Sequence, residues 1–258
     1  MLRFSANLGF LWPDRPLVDR IDAAAAAGFK AIELHWPYAT PAELVKQRCI
    51  DHGLTLLGIN TPLGDTDKSD FGLGAIDGRQ SEFRTGFAMS AGYARQAGAN
   101  SIHAMAGVVP LDQRARGKQV FIENLVFATN AAPDLTILLE PINQRDKPNY
   151  FYSTIEEAAD MLDQVGAPNL KIMFDIYHVG ISQGDVLTRL SRHLPKIGHV
   201  QIAAVPSRAE PDEGEISYLA VFAALERLGY RNWVGCEYKP RAATDHGLKW
   251  IKTLSLEL

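Results

Sequence analysis

Four polar residues stand at or near the ends of apolar runs in the second half of the chain. They are Glu140 in LTILLEPIN, Asp175 in LKIMFDIYH, Gln201 in IGHVQIAA and Glu237 in WVGCEYKP, at spacings of 35, 26 and 36 residues. Each run reads as a buried strand, and a carboxylate at the end of such a strand is costly unless something pairs with it or uses it. Taken singly, each residue has a structural explanation: an acid capping the next helix, or an amide satisfying an interior backbone group. Taken together, three carboxylates in one mouth repel strongly unless a cation or a shared proton neutralises them. Three acids and one amide oxygen make a hard, all-oxygen set, which favours Mg²⁺ or Mn²⁺ over Zn²⁺. His178, three residues after Asp175, could add a nitrogen to that set or cap the end of its strand; we assign it to the substrate.

The elements that must position these residues alternate regularly. Eight short β-rich runs occur, at 3–10, 31–36, 54–62, 101–107, 135–143, 170–178, 197–204 and 233–240. Helix-like stretches lie between them. PLVDRIDAAAAAG opens on Pro16 and closes on Gly28, a good start and stop pair. TPAELVKQRCIDHG offers Thr40 as a cap, Pro41 in the first turn, Glu43 three residues after the cap and Gly53 as the stop. STIEEAADMLDQVG repeats the pattern, with Ser153 or Thr154 as cap and Gly166 as stop, and SYLAVFAALERLGY ends at Gly229.

Alternation of this kind implies a parallel sheet. Eight repeats in 258 residues average about 32 residues each, which suits a single (β/α)8 TIM barrel over residues 1–258. An open doubly wound sheet would need a G-x-G-x-x-G turn after an early strand, and none follows the first run. One connection is long, LGDTDKSDFGLGAIDGRQ after the third run, and reads as a lid or binding loop on the face where barrel enzymes do chemistry.

Composition narrows the function classes. Hydrophobic residues make up 47% and charged residues 22% of the chain, ordinary for a globular protein with a full core. A net charge of −4 gives no electrostatic footprint for nucleic acid. The first residues, MLRFSANLGFLWPDRP, make a poor signal peptide, and no run approaches the ~20 apolar residues of a membrane span. Two cysteines, Cys49 and Cys236, make no disulfide framework, so a cytoplasmic protein is expected. The subunit arrangement, a homo-oligomer included, stays open.

Nearly the whole chain resembles the hydroxypyruvate isomerase family, within the xylose isomerase-like barrel superfamily. The resemblance rests on GFKAIELHWPY, GLGAIDGR, HAMAGVVP, LLEPIN, FDIYH, HVQIAAVPSRAEPDEGEISY and GCEYKPR, the last two being the most specific. It implies that Glu140 and Glu237 are the catalytic pair. Related ketose epimerases bind a metal through two glutamates, an aspartate and a histidine; the histidine position here is Gln201, which leaves open which metal binds and whether one is required. The resemblance also implies that Arg208, on the loop after the seventh run, touches the substrate, and its fork suits a carboxylate. Lys239 is a second anion partner, and His103 a wall residue of the pocket. Cys236, next to Glu237, should face the other way along its strand and pack against a helix.

The expected chemistry is enediolate proton transfer between two glutamates, with hydroxypyruvate and tartronate semialdehyde as the leading pair. A 2-oxo-tetronate isomerase or a ketose epimerase would use the same chemistry. From other classes, a metallonuclease would need histidine ligands that the PSRAEPDEGE loop lacks, and a sugar-acid binding protein would have no use for both glutamates.

Overall fold

The computed structural model describes residues 2–254 and residue 256. Its strands are β1 (Arg3–Asn7), β2 (Ala31–Glu33), β3 (Thr55–Leu56), β4 (Gly58–Asn60), β5 (Ser101–His103), β6 (Thr136–Leu139), β7 (Leu170–Asp175), β8 (Ile197–Ile202) and β9 (Trp233–Cys236). All pair in parallel, in the order β3-β2-β1-β9-β8-β7-β6-β5-β4. The two ends of this order are successive pieces of one run, so the sheet closes into the expected barrel. The third run is split at Leu57, the point where it changes partner. Its N–H donates to Ile32 of β2 at 2.9 Å, and its carbonyl accepts from Asn100 N–H at 3.2 Å and Ser101 Oγ at 2.8 Å.

Helices α1 (Leu17–Ala26), α2 (Ala42–His52), α3 (Gln80–Ala97), α4 (Arg114–Ala131), α5 (Ile155–Val165), α6 (Ile176–Ser182), α7 (Val186–His193), α8 (Tyr218–Arg227), α9 (Thr244–Gly247) and α10 (Lys249–Thr253) follow the strands. Thr154 caps α5 in a full capping box with Glu157, and Gly166 ends it in the left-handed region that glycine tolerates best. Gly53 ends α2 in the same way, but Thr40 does not cap that helix. Pro41 takes the N-cap position, one residue later than expected, and no side chain satisfies the first amides there. Strands β6, β7, β8 and β9 are buried along nearly their whole length, as strands covered on both faces must be. Cys49 and Cys236 are free and buried. No helix among the described residues is long and apolar enough to cross a membrane.

The long connection after β4 is tied down. Gly74 N–H donates to Met105 O at 3.0 Å and Ala75 N–H to Ala106 O at 2.7 Å, while Arg79 Nη1 grips Asp70 at 2.6 Å. The loop presents Phe71 to the cleft described next.

Candidate active site

A cleft of about 520 Å³ lies at the C-terminal mouth of the barrel, lined by Glu140, Glu237, His178, Arg208, Lys239 and His103 among others. Of the polar residues singled out at the strand ends, Glu140 and Glu237 line this cleft, and Asp175 lies 3.8 Å from Arg208 in its wall. Glu140 follows β6, Asp175 ends β7, Gln201 lies in β8 and Glu237 follows β9; all are buried. Glu140, Gln201 and Glu237 also line one small cavity deeper in the barrel.

The two glutamates sit in unlike surroundings. Glu237 Oε1 accepts from Asn7 Nδ2 at 3.0 Å and lies 2.9 Å from His35 Nε2; its Oε2 accepts from Arg208 Nη2 at 2.9 Å. Burial opposes its charge, but the His35 hydrogen bond and the Arg208 guanidinium outweigh burial and bring its pKa down to about 2. Glu140 has looser partners, His103 Nδ1 at 3.3 Å and His178 Nε2 at 3.6 Å. Burial, then the charges of Glu237 and Asp175, push its carboxyl well above the usual range.

Asp175 does two things with one carboxylate. Oδ1 accepts from Tyr177 N–H at 2.9 Å and caps the short helix α6, as the structural explanation requires. Oδ2 is buried without a hydrogen-bond partner and lies 3.5 Å from His178 Nε2 and 3.8 Å from Arg208 Nη2. Burial and the Glu237 charge lift its pKa to about 7. His178 Nδ1 accepts from the side-chain NH₂ of Asn143 at 2.7 Å and from its backbone N–H at 3.2 Å. Burial holds this ring neutral, so its proton sits on Nε2, facing the acids. His103 is likewise kept neutral by burial, with its pKa down to about 3 and neither ring nitrogen hydrogen-bonded.

Arg208 is where the sequence expectation put it, inside the mouth on the loop after β8. Its guanidinium is already engaged, by Glu237 and by Asp146 at 3.4 Å, and lies between the rings of Phe10 and Tyr177, 4.9 Å from each. Its backbone is held at φ 58, a region a long side chain seldom adopts, by Arg208 N–H to Ala204 O at 2.8 Å and Lys239 N–H to Arg208 O at 2.7 Å. Lys239 therefore contributes through its backbone as well as through an ammonium 5.8 Å from the Phe10 ring. Lys147, which the sequence reading passed over, also lines the cleft, its ammonium 4.4 Å above Phe71.

Asn7, Glu33 and His35, from the first two strands and just beyond, were missed as well. Asn7 and Glu33 end β1 and β2, but each lies inside its apolar run in the sequence, RFSANLGF and AIELHW, which hid them. Oxygen donors for a divalent ion are present: Glu140 and Asp175 offer ligand atoms within 4.8 Å of one another, and Asp175 Oδ2 and Gln201 Oε1 are buried acceptors without hydrogen-bond partners, whereas His178 turns its Nε2–H, a donor, toward them. Of the expected ligands, Glu237 is held by Arg208, and Gln201 Nε2 donates to Glu33 Oε2 at 2.9 Å.

A closed parallel barrel whose C-terminal mouth gathers buried acids defines a class, the xylose isomerase-like TIM barrels. The chain belongs to this family, whose profile matches residues 21–254. It is 44% identical over 255 residues to a protein of Cupriavidus necator named 2-oxo-tetronate isomerase, covering 98% of each chain. It is 38% identical over 254 residues to the hydroxypyruvate isomerase of Escherichia coli, covering 97% of this chain and 98% of that one. A solved structure from Brucella melitensis, named AP endonuclease, family 2, superposes with a TM-score of 0.95 at 39% identity, over 98% of this chain and 99% of that one.

Proposed function

We propose that the protein is an isomerase of small hydroxy-oxo acids that interconverts hydroxypyruvate and tartronate semialdehyde. One observation carries the reading: two buried glutamates in one cleft are driven to opposite protonation states, the arrangement that separates a base from an acid. In the forward direction a carboxylate takes a proton from C3 of hydroxypyruvate. The electron pair moves into the C2–C3 bond, giving an enediolate. A proton is then delivered to C2 while the O3 hydroxyl proton passes to the O2 oxyanion, leaving an aldehyde at C3 and an alcohol at C2. Glu237 stands ready as carboxylate and Glu140 as acid; the reverse reaction exchanges their tasks. His178 Nε2–H and Arg208 supply donor groups to the substrate oxygens, and Lys239 is a further partner for the carboxylate. Glu140, Asp175, Gln201 and Glu237 would hold Mg²⁺ or Mn²⁺, which would supply positive charge where the oxyanion develops; for Glu237 to join, Arg208 must give way, and for Glu140 to join, its carboxyl must give up its proton.

The relative at 44% identity favours a second substrate, a four-carbon 2-oxo-tetronate, converted by the same chemistry. A nuclease activity, which the name of the Brucella melitensis protein raises, fits poorly with a net charge of −4 and with a loop after β8 that carries no histidine. The proposal places the enzyme in the cytoplasm, acting on a small acid without nucleic-acid or membrane partners. The test is exchange of substrate carbon-bound hydrogen with deuterated solvent across three- and four-carbon hydroxy-oxo acids. Exchange into hydroxypyruvate supports the leading reading, exchange confined to tetronates moves the assignment to the second, and no exchange into any of them overturns both.

A further inference from the structure

Below the cleft, Glu33 turns its carboxylate into the barrel and is nearly fully buried. Ser5 Oγ donates to Oε1 at 2.5 Å, Gln201 Nε2 donates to Oε2 at 2.9 Å, and His199 Nε2 lies 3.0 Å from Oε2. Four strands build this site: β1 gives Ser5, β2 gives Glu33, β8 gives His199 and Gln201, and β9 makes room. At Gly235 of β9 a Cβ would lie 2.3 Å from Glu33 Oε1, so a larger residue there would displace the carboxylate. A cavity of about 20 Å³ separates this network from the catalytic pair, and its walls include Glu33, Gln201, Glu140 and Glu237.

A glutamine amide has two unlike ends on one soft torsion, NH₂ and oxygen. Beside Glu140 and Glu237 the favourable choice would be to turn the NH₂ toward the acids. An ionised carboxylate at Glu33 can only accept, so it competes for that NH₂ from the opposite side. The amide nitrogen is bound to Glu33, while Gln201 Oε1 is buried with no hydrogen-bond partner. We propose that Glu33 is a positioning residue that fixes the Gln201 amide so that its oxygen, and not its NH₂, is presented to a divalent cation held among the catalytic acids. This rests on the ion-binding part of the proposed function and gives the single amide in an acidic ligand set its reason: a fourth carboxylate at position 201 would confront Glu33.

The test is Mn²⁺ binding, read by calorimetry on the full chain, with thermal melting in chelator to confirm folding. Glu33→Leu frees the amide and is expected to weaken Mn²⁺ binding by about tenfold or more, the scale for loss of a partner behind a metal ligand. The exchanged pair Glu33→Gln with Gln201→Glu is expected to bind within about threefold of wild type, because the new amide donates to the new carboxylate and leaves one oxygen free. A folded Glu33→Leu protein that binds Mn²⁺ as wild type does overturns the inference, as does a folded exchanged pair that does not bind. Wild-type protein that catalyses solvent exchange yet binds no Mn²⁺ also overturns it, while leaving the isomerase reading intact.

Discussion

Glu140 and Glu237 are the same residue type, equally buried, at the rim of one barrel, yet their neighbourhoods differ in kind. Around Glu237 are an amide, a histidine and a guanidinium at hydrogen-bond distance. Around Glu140 are two neutral histidines beyond good hydrogen-bond distance and the charges of two other acids. The first pocket stabilises a carboxylate and the second a carboxylic acid. What separates the two roles is which partners the first two strands and the loop after β8 deliver to one side only. The comparison also puts Arg208 in a new light. Expected as a receptor for the substrate carboxylate, it is also the charge that keeps Glu237 ionised.

The comparison breaks most sharply when either carboxyl is removed. Glu140→Gln and Glu237→Gln should each keep the fold and lower turnover by about a hundredfold or more, the usual scale for an acid–base group. Steady-state kinetics beside circular dichroism would check this; near-native turnover in either variant removes that residue from the mechanism.

Arg208→Met should act most strongly on Glu237, its nearest acid. It should raise KM for an acid substrate by about tenfold, and more than for a small neutral ketose, because an arginine fork contributes most to a carboxylate. The acidic limb of the pH–rate profile should also shift upward as Glu237 loses its cation. Arg208→Lys should recover only part of the loss. Equal losses on charged and neutral substrates with an unmoved profile would make Arg208 a residue that only shapes the loop.

The smallest effect is on stability, and it sharpens the contrast through pH. Asp175, raised to about 7, and Glu140, also raised, bind protons more tightly folded than unfolded. Their stabilising contribution is present below the ordinary carboxylate range and is lost as pH rises, for Asp175 through about 7. Glu237, lowered to about 2, contributes the opposite way, and its share disappears only as pH falls through that value. In chelator, the contribution of Asp175 should therefore make the melting temperature fall between about pH 4.5 and pH 7.5, and Asp175→Asn should flatten that fall. Added Mn²⁺ should restore stability most at the higher pH, where the acids are ionised. A melting profile that Asp175→Asn leaves unchanged would show that burial of this acid does not govern it.

Much of this was legible in one dimension. Strand-end placement picked out Glu140, Asp175, Gln201 and Glu237 because a barrel puts the ends of all its strands at one mouth, so position along the run already gives position in space. Pro16 and Gly28 bracketed α1, and Thr154 and Gly166 marked the ends of α5, because caps and backbone restrictions are local. The split of the third strand at Leu57 was hidden, since it depends on where the sheet closes. The capping of α2 by Pro41 in place of Thr40 was a matter of one residue in the entry of the chain, which packing decides.

By itself, then, the sequence determined the alternation of elements, the barrel, and the set of acids at its mouth, all consequences of local propensity and periodic burial. Tertiary structure alone decided which acid keeps its proton. That depends on Asn7 and His35 meeting Glu237 across more than 200 residues of chain and on Arg208, packed against two aromatic rings, reaching the same carboxylate. Coulomb interactions and hydrogen bonds act over a few ångströms of space whatever the separation in chain, so no spacing in the sequence could have assigned those roles.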